Sequence, residues 1–294
     1  MRITDSMIYS NAQSSVASAL SKVTAATAET SSGLAVVQPG DDPAAAAGVV
    51  VHATAGAYAT AVSSSATAAV GELNIADSAL NTVSNAVSQA SQLAVQLENS
   101  SYSAADRQNA AAQVGQIFQE VISSLNVKSG DRYVFSGSKD QTPPFDAAGN
   151  YDGDTEVRTI EVAPGVQQAA SVRADVAIKG TGGGVDVLGA IAALQTALQN
   201  NDTAGIQTAI GALATGTNQI ATMRSQVGAD QDALSAAASV AQSASTAEQT
   251  AVSNLQNADV VQAATQLQLA QTALQAAVSA STTSFKFSLL NPTG

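Results

Sequence analysis

Long stretches of this chain carry almost no charge. Within residues 233–284 the only ionised side chains are Glu248 and Asp259, and residues 24–105 contain no Lys or Arg. These stretches consist mostly of small and weakly polar residues, with Val, Leu and Ile at helical intervals. A helix with an apolar stripe and few charges is poorly satisfied alone in water and is stabilised against another helix. The sequence therefore predicts helices that pack on one another, within the chain or between copies.

Composition favours a helical body and excludes several other classes of protein. Aromatic residues make up only 3% of 294 residues and Trp is absent, so we expect an elongated helical body rather than a bulky globular core. The net charge of -12 repels phosphate and disfavours nucleic-acid binding. The basic residues form no face that would attract anionic lipid. The absence of Cys excludes disulfides, thiolate catalysis and Cys-based zinc sites.

The N-terminal third is predicted to form two helices with a loop between them. Apolar spacing indicates a first helix over residues 4–30. Residues 36–43 contain the Pro and Gly that are typical of a loop. Asp42 is the expected N-cap of a second helix over residues 43–99, and a break is expected near Gly71.

Cap signals and apolar spacing predict the remaining helices. Ser103, with an acid three residues later, resembles a capping box and starts a helix that reaches about Lys128. This helix should form an antiparallel hairpin with the one before it. Asp186 is the expected cap of a short helix and Asp202 of a long one, whose heptad rhythm resets after Ser253.

A central segment has a different composition, because Tyr, Phe, Pro and Gly concentrate in residues 132–179. We interpret it as a small β domain with strands at residues 132–136, 157–162 and 172–178, the last from strict alternation. The predicted fold class is mainly α with a small β insert, on an elongated helical coiled-coil body formed by both chain ends. The predicted parts are a terminal coiled-coil assembly domain (1–42 and 254–294), a helical-bundle core (43–131 and 180–253) and the β insert (132–179).

Three motifs occur in order along the chain. Near the N-terminus, SSGL at residues 31–34 precedes PGDDPA at 39–44; in the centre, GDRYVFSG at 130–137 precedes TPPF at 142–145; near the end, SLLN occupies 288–291. Together they resemble the flagellin-like proteins of the bacterial flagellum, and in particular the family of hook-filament junction proteins, hook-associated protein 3. The residues that carry the match are Gly33, Asp41, Asp42, Pro43, Tyr133, Phe135, Pro143, Pro144 and Phe145.

The resemblance implies a structural function. Members of this family are not enzymes, need no cofactor, and form a ring between the hook-side junction protein and flagellin. The implied partners are other copies of the chain, those two proteins, the flagellar export apparatus and an export chaperone. The implied location is the extracellular flagellum, reached without a cleaved signal peptide. Stripe position and resemblance together predict that the subunit interface contains Met7, Val16, Leu20, Val23, Leu267, Leu274, Val278, Leu289 and Leu290.

No motif predicts metal, catalytic or membrane chemistry. The pair Asp41-Asp42 lacks a third ligand, and the acidic run at residues 152–156 lacks the Gly and Glu that a calcium loop requires. His52, the single histidine, lies in an Ala-rich helix without a nucleophile elbow elsewhere in the chain. The apolar stretch 44–62 is interrupted by Gly, His and Thr, so no membrane span is predicted.

Two other functions stay open on the sequence alone. A flagellin would polymerise into the filament itself and be needed in thousands of copies, whereas a junction ring needs few. The Thr-Pro-Pro-Phe element favours the junction family. An extracellular adhesive or binding protein would use residues 132–179 as its binding part.

Overall fold

The computed structural model describes residues 5–290, with side-chain surroundings given for Met7 and residues 9–283. The helices are α1 (Asp5–Ser32), α2 (Pro43–Glu98), α3 (Ala104–Leu125), α4 (Ala174–Ala177), α5 (Val187–Gln199), α6 (Thr203–Gln256) and α7 (Val260–Leu290). The strands are β1 (Lys128–Ser129), β2 (Arg132–Tyr133), β3 (Thr159–Ala163) and β4 (Val166–Ala169). β1 pairs with β2 and β3 with β4, both antiparallel. The predicted fold class, mainly α with a small β segment, is confirmed.

Side-chain caps start the helices at the predicted positions. The Asp42 carboxylate accepts two backbone N–H groups in the first turn of α2, each at 3.0 Å. Ser103 and Asp106 form the reciprocal capping box of α3, and the hydrogen bond from the Ser103 hydroxyl holds the pKa of Asp106 below its usual value. The Asp186 carboxylate caps α5 by accepting the N–H of Gly189, and the Asp202 carboxylate caps α6 by accepting the N–H of Gly205. These short polar residues satisfy N–H groups that have no partner within the helix.

The expected break near Gly71 is absent, because α2 continues without interruption through that residue. Glycine destabilises a helix interior by about 1 kcal/mol relative to alanine. Leu73 and Ala76, immediately beyond Gly71, are buried in the core. Their burial outweighs the local propensity, since full burial of a leucine side chain contributes about 2 kcal/mol.

The predicted strand at residues 172–178 is wrong. Its centre forms the single-turn helix α4, and Ala174, Asp175 and Ala177 are all buried there. Alternation over seven residues does not separate a strand from a short buried helix, because both bury small side chains at close spacing. The strand that pairs with β3 is β4, which precedes this segment in the chain.

The other two candidate strands are found in part. β3 begins two residues later and ends one residue later than the predicted strand at 157–162. The strand predicted at 132–136 shortens to the two residues of β2.

The chain divides into two compact units. The terminal unit comprises the chain up to Tyr58 together with the part from Ala244 onward, and the core unit runs from Ala59 to Ser243. These boundaries lie further into α2 and α6 than the predicted ones at residues 42 and 254. The segment 132–179 falls inside the core unit.

The core unit is filled by large aliphatic and aromatic side chains. α3 packs on α5. The largest fully buried side chains are Phe135, Phe145, Leu73, Leu80, Leu125, Ile178, Leu188, Ile191, Leu194, Leu198, Ile206 and Leu213. All of them belong to the core unit.

By length and composition alone, α2 is apolar enough to cross a membrane, with a mean hydropathy of 1.4 in its most apolar window. Of that window 17% is buried, and a single helix of this kind does not by itself establish a span. The later half of α2 supplies core residues such as Leu80, Val83 and Val87.

A buried arginine joins two turns of the core unit. Arg107 is only 4% exposed and donates hydrogen bonds to the carbonyl oxygens of Leu97, Asn99 and Tyr102. Its fourth acceptor is the Asn201 side chain, at 2.6 Å, in the turn between α5 and α6. The negative end of the α2 dipole and three carbonyl groups replace a carboxylate partner for this charge.

We expect Arg107→Met to lower the free energy of unfolding of the full chain by about 3 kcal/mol, because buried carbonyl groups lose their donors. Urea denaturation followed by circular dichroism measures this value. The control is Lys139→Met, at an exposed lysine, for which we expect a change below about 0.5 kcal/mol. Equal stability of the two variants would contradict the assigned role of Arg107.

Candidate functional site

The two ends of the chain pair with each other as helices in the terminal unit. The Ala35 N–H donates to the Gln256 carbonyl at 2.7 Å, and the Ala258 N–H donates to the Gly33 carbonyl at 2.9 Å. These bonds place the end of α1 beside the start of α7. At the other end of α1, Ala12 lines the same groove as Ser281 of α7. The helices therefore run antiparallel, and the predicted pairing of the chain ends is confirmed.

Small residues line the seam between α1 and α7. Ala19, Ala26 and Ala263 are buried along it. Four of the predicted interface residues follow the helical spacing of these alanines and are half-buried. They are Val16, Val23, Leu267 and Leu274. Part of the predicted interface set is thus already covered within one chain.

The other predicted interface residues divide into two groups. Met7 is 54% exposed, Leu20 53% and Val278 44%. Leu289 and Leu290 lie in the last turn of α7, and their side chains fall outside the described ones. The side chains of Met7, Leu20 and Val278 are thus exposed in the single chain.

Exposed apolar side chains concentrate in the terminal unit. Among the residues whose side chains are described, fifteen large apolar ones are exposed, and eleven of these belong to the terminal unit, the shorter of the two. Sequence reasoning missed eight of the eleven. They are Tyr9, Val37, Val50, Val51, Tyr58, Val260, Val261 and Leu269.

Two pairs of consecutive valines in this set could have been recognised from the sequence as partly exposed. Val50 and Val51 follow each other in α2, and Val260 and Val261 follow each other at the start of α7. Successive residues of a helix point about 100° apart, so a Val-Val pair cannot place both side chains in one narrow seam.

An apolar groove lies on this surface of the α1–α7 pair. Its volume is about 380 Å³. Its lining consists of Tyr9, Ala12, Gln13, Val16, Ala17, Leu20 and Ser281. A groove of this size with little polar lining suits aliphatic side chains of another helix.

The N-terminal motif builds the turn between α1 and α2. Gly33 ends α1 in the left-handed conformation at φ 71°, which glycine adopts without strain. The Asp41 carboxylate accepts two backbone N–H groups of the loop, at 2.7 and 3.0 Å. Asp42 caps α2, and Pro43 occupies its first position. Both carboxylates thus bind backbone donors, and the described part of the chain contains no cluster of three metal-ligand side chains.

The central motif seats the inserted segment on the end of α3. Phe135 and Phe145 are buried, and the Tyr151 ring lies 5.2 Å from that of Phe145. Asn126, directly after α3, exchanges two hydrogen bonds of 2.9 and 3.0 Å with the backbone of Phe145. α3 ends before the predicted Lys128, with Asn126 as its C-cap residue, whose backbone N–H still donates to the Ile122 carbonyl.

The remaining residues of the central motif differ in burial. Pro144 is buried, whereas Pro143 is exposed. Tyr133 is half-buried, and the Lys128 ammonium lies 4.5 Å from the centre of its ring. The motif therefore has a structural role, with its inner residues fixed in the core.

Polar contacts anchor the same segment on the long helices of the core unit. Glu72 of α2 binds both Arg132 and Arg158, and burial lowers the pKa of Arg158. Gln168 of β4 donates to Asp230 of α6 at 3.0 Å. The segment is thus tied to two helices at several points.

The acidic run at residues 152–156 forms a turn held by protein donors. The Asp154 carboxylate accepts the hydroxyl and the N–H of Ser138, together with the N–H of Glu156. These hydrogen bonds hold the pKa of Asp154 below its usual value, with the Ser138 hydroxyl as the main cause. Its oxygens are therefore satisfied by the protein itself.

Comparison with known proteins agrees with the motifs. Residues 3–140 match the family described as bacterial flagellin N-terminal helical region. The chain is 27% identical over 299 residues to flagellar hook-associated protein 3 of Salmonella typhimurium, which covers 94% of each chain. The resemblance to hook-associated protein 3 and the flagellin-like proteins, stated from the motifs, is confirmed.

Solved structures of similar fold come from the same group of proteins. A putative flagellar hook-associated protein from Vibrio parahaemolyticus has a TM-score of 0.67 at 18% identity and covers 74% of this chain and 100% of its own. Xanthomonas campestris FlgL has a TM-score of 0.60 at 18% identity and covers 67% of this chain and 98% of its own. At 18% identity, these two structures show only that the fold is shared.

We expect Phe145→Ala to lower the free energy of unfolding by about 3–5 kcal/mol, because it removes a buried ring and leaves a cavity. Pro143→Ala, two residues earlier and exposed, should change this value by less than about 1 kcal/mol. Chemical denaturation of the full-length variants gives both values. If Phe145→Ala lowered the free energy of unfolding as little as Pro143→Ala, the motif would not anchor the inserted segment.

Proposed function

We propose that this chain, a relative of flagellar hook-associated protein 3, is a structural subunit of the bacterial flagellum. In this proposal several copies form a ring at the hook-filament junction, where they adapt the hook-side junction protein to flagellin. The observation that carries the proposal is the concentration of exposed apolar side chains in the terminal unit. The subunit catalyses no reaction and needs no cofactor.

The apolar surface supplies the energy for assembly. α1 and α7 cover each other along an alanine seam and leave bulkier residues such as Leu20 and Leu269 on the outside. Burying an exposed Val or Leu side chain against a neighbouring copy contributes roughly 1.5–3 kcal/mol. Several such contacts per copy suffice to order a ring, since every copy repeats them with its neighbours.

The distribution of charge also supports burial of the terminal unit in the assembly and exposure of the core unit to water. The core unit carries 17 acidic and 8 basic residues, a net charge of -9, and the terminal unit carries 6 acidic and 3 basic residues, a net charge of -3. An ionised side chain buried between subunits needs a partner or loses its hydration without compensation. A terminal unit with few charges avoids this penalty, whereas the acidic core unit suits contact with water.

The proposal also specifies location and further partners. The subunit is delivered to the extracellular flagellum by the flagellar export apparatus, with an export chaperone and without a cleaved signal peptide. A chain without Cys is compatible with export in an unfolded state, because no disulfide has to be broken. Neither nucleic acid nor membrane belongs to this set of partners.

A flagellin subunit of the filament itself is the second candidate, favoured by the match of residues 3–140 to the flagellin N-terminal region. Immuno-gold labelling of intact flagella separates the two. A junction subunit gives a single band of label at the hook end, whereas a filament subunit gives label along the whole length. A free extracellular protein, such as an adhesin, gives neither pattern.

We expect the double variant Leu20→Asp with Leu269→Asp to fold normally but to be absent from flagella. Both side chains are more than half exposed, so the free energy of unfolding should change by less than about 1 kcal/mol. Aspartate on a surface that becomes buried would be desolvated without a partner. The measurements are circular dichroism of the purified chain and immuno-gold labelling of flagella from a strain that carries only the variant.

The matched control is Val157→Asp with Val166→Asp, which adds the same charge at exposed positions of the core unit. This control should assemble. We prefer Leu20 and Leu269 to the half-buried Leu267 and Leu274, because aspartate at the latter pair would also disturb the α1–α7 seam. Normal incorporation of the Leu20 and Leu269 variant would refute the proposed assembly surface.

A further inference from the structure

One glutamine of α6 holds the segment by which the chain leaves the inserted segment. We call residues 174–185 the strap; it consists of α4 and the stretch that ends in the glycine-rich residues 180–184. The Gln219 side-chain nitrogen donates to the carbonyl oxygens of Val176 and Ala177, both at 3.0 Å. It also donates to the Val185 carbonyl at 3.1 Å, and the Gln219 side-chain oxygen accepts the Val185 N–H at 2.9 Å. One side chain thus binds both ends of the strap.

The carbonyl groups of α4 show what the Gln219 amide supplies. Backbone N–H groups donate to the carbonyls of residues 173–175 and of Ile178. In the part of the chain that the structure describes, no backbone N–H donates to the two carbonyls between them, those of Val176 and Ala177. A helix of one turn has no further turn to supply these donors, and a carbonyl held away from water without a donor costs free energy. Gln219 therefore completes the hydrogen bonding of α4.

The glycine-rich stretch leaves room for the same amide. A Cβ at Gly184 would overlap the side-chain oxygen of Gln219. Gly180 has a φ of 69°, which glycine adopts without strain, and a Cβ there would overlap the backbone of Gly184 and Val185. A larger residue at position 184 would therefore displace the Gln219 amide from the strap. This fit accounts for glycine at both positions.

The strap has other polar contacts, and their partners lie outside α6. Arg173 donates two hydrogen bonds to the Asp175 carboxylate, of 2.6 and 3.1 Å. The Lys179 ammonium binds the Asp186 carboxylate and the Gly149 carbonyl. These partners are close to the strap in sequence or belong to the inserted segment. The hydrogen bonds that the described residues form between the strap and α6 are thus those of Gln219.

The strap buries little apolar area. Ile178 is fully buried, but the other buried apolar residues of the strap are Ala174 and Ala177, which carry one methyl group each. Residues 181–184 are exposed. Segments with few buried apolar contacts and an exposed backbone open at a lower free energy than the core around them.

We propose that Gln219 closes a strap that opens locally while the rest of the core unit stays folded. When its amide withdraws, four backbone groups of the strap lose their partner, and they regain one from water when the strap moves away from α6. The rest of the inserted segment stays attached, because Glu72 binds two of its arginines and Gln168 binds Asp230. This conformational device does not depend on the proposed function.

Hydrogen exchange of the full-length chain measures the opening without any substitution. Mass spectrometry with fragmentation follows the N–H groups of Ile178 and Val185, which are both hydrogen-bonded, and those of α3 in increasing urea. We expect the strap to exchange faster than α3 and with a weaker dependence on urea, because local opening exposes less surface than unfolding of the core unit. Equal rates and equal urea dependence would overturn the proposal, since the strap would then open only with the whole unit.

The variant Gln219→Met replaces the amide by a side chain of similar length that has no N–H donor. We expect exchange at Ile178 and Val185 to become faster by about ten-fold or more, as follows from the loss of donors to partly buried carbonyls. Exchange in α3 should stay within about two-fold of the parent. The matched control is Gln226→Met on the same helix, where the side chain is exposed and donates to Asp230; it should leave both rates unchanged.

Two results of this comparison would overturn the proposal. Unchanged exchange at Ile178 and Val185 in Gln219→Met would mean that backbone hydrogen bonds and burial of Ile178 hold the strap without Gln219. Equal acceleration in α3, or loss of helix content in circular dichroism, would mean that Gln219 stabilises the whole core unit and that the strap does not open separately.

The variant Gly184→Ala tests the fit between the strap and the amide. The added methyl group displaces the Gln219 amide, so exchange at Ile178 should accelerate as it does in Gln219→Met. Gln219→Ala leaves space for that methyl group, so the double variant should exchange no faster at Ile178 than Gln219→Ala alone. Additive effects of the two substitutions would contradict the fit and, with it, the closing role of Gln219.

Discussion

The close approach of α1 and α7 is the contact on which the terminal unit depends. Ala19, Ala26 and Ala263 are buried in that helix pair, and a methyl group is small enough for two backbones to come near each other. Alanine loses no side-chain entropy when it is buried, so such a seam forms with little ordering cost. Because the alanine side chain is small, the seam buries little apolar area per residue. A helix pair of this kind therefore depends on further contacts.

The core unit is stabilised in a different way. Its large aliphatic and aromatic residues are fully buried, and Arg107, Glu72 and Asn126 fix its turns and its inserted segment. Each of these polar groups has several partners, so removing one leaves others buried without donors or acceptors. We therefore assign most of the intramolecular stability to the core unit and the capacity for assembly to the terminal unit.

The residues by which the chain resembles its relatives have structural roles. Gly33 and Asp42 shape the connection between the first two helices, and Phe135 and Phe145 seat the inserted segment. None of these four offers an exposed apolar side chain. The motifs thus identify the relatives, whereas the exposed valines and leucines that support an assembly surface lie outside them.

The sequence by itself determined the helices and their caps, because these follow from local hydrogen bonding and from apolar spacing along one helix. Apolar spacing also predicted that the end helices pack on other helices, and the resemblance of the motifs added that they pair with each other. The sequence did not determine that residues 172–178 turn into α4, since seven alternating residues fit two conformations equally well. Nor could it show that Val16 is half-buried while Leu20 is exposed, or that His52 Nδ1 lies 2.6 Å from Glu248 Oε2. Only the tertiary structure decided these points, because they depend on which helix faces which across nearly two hundred residues of chain.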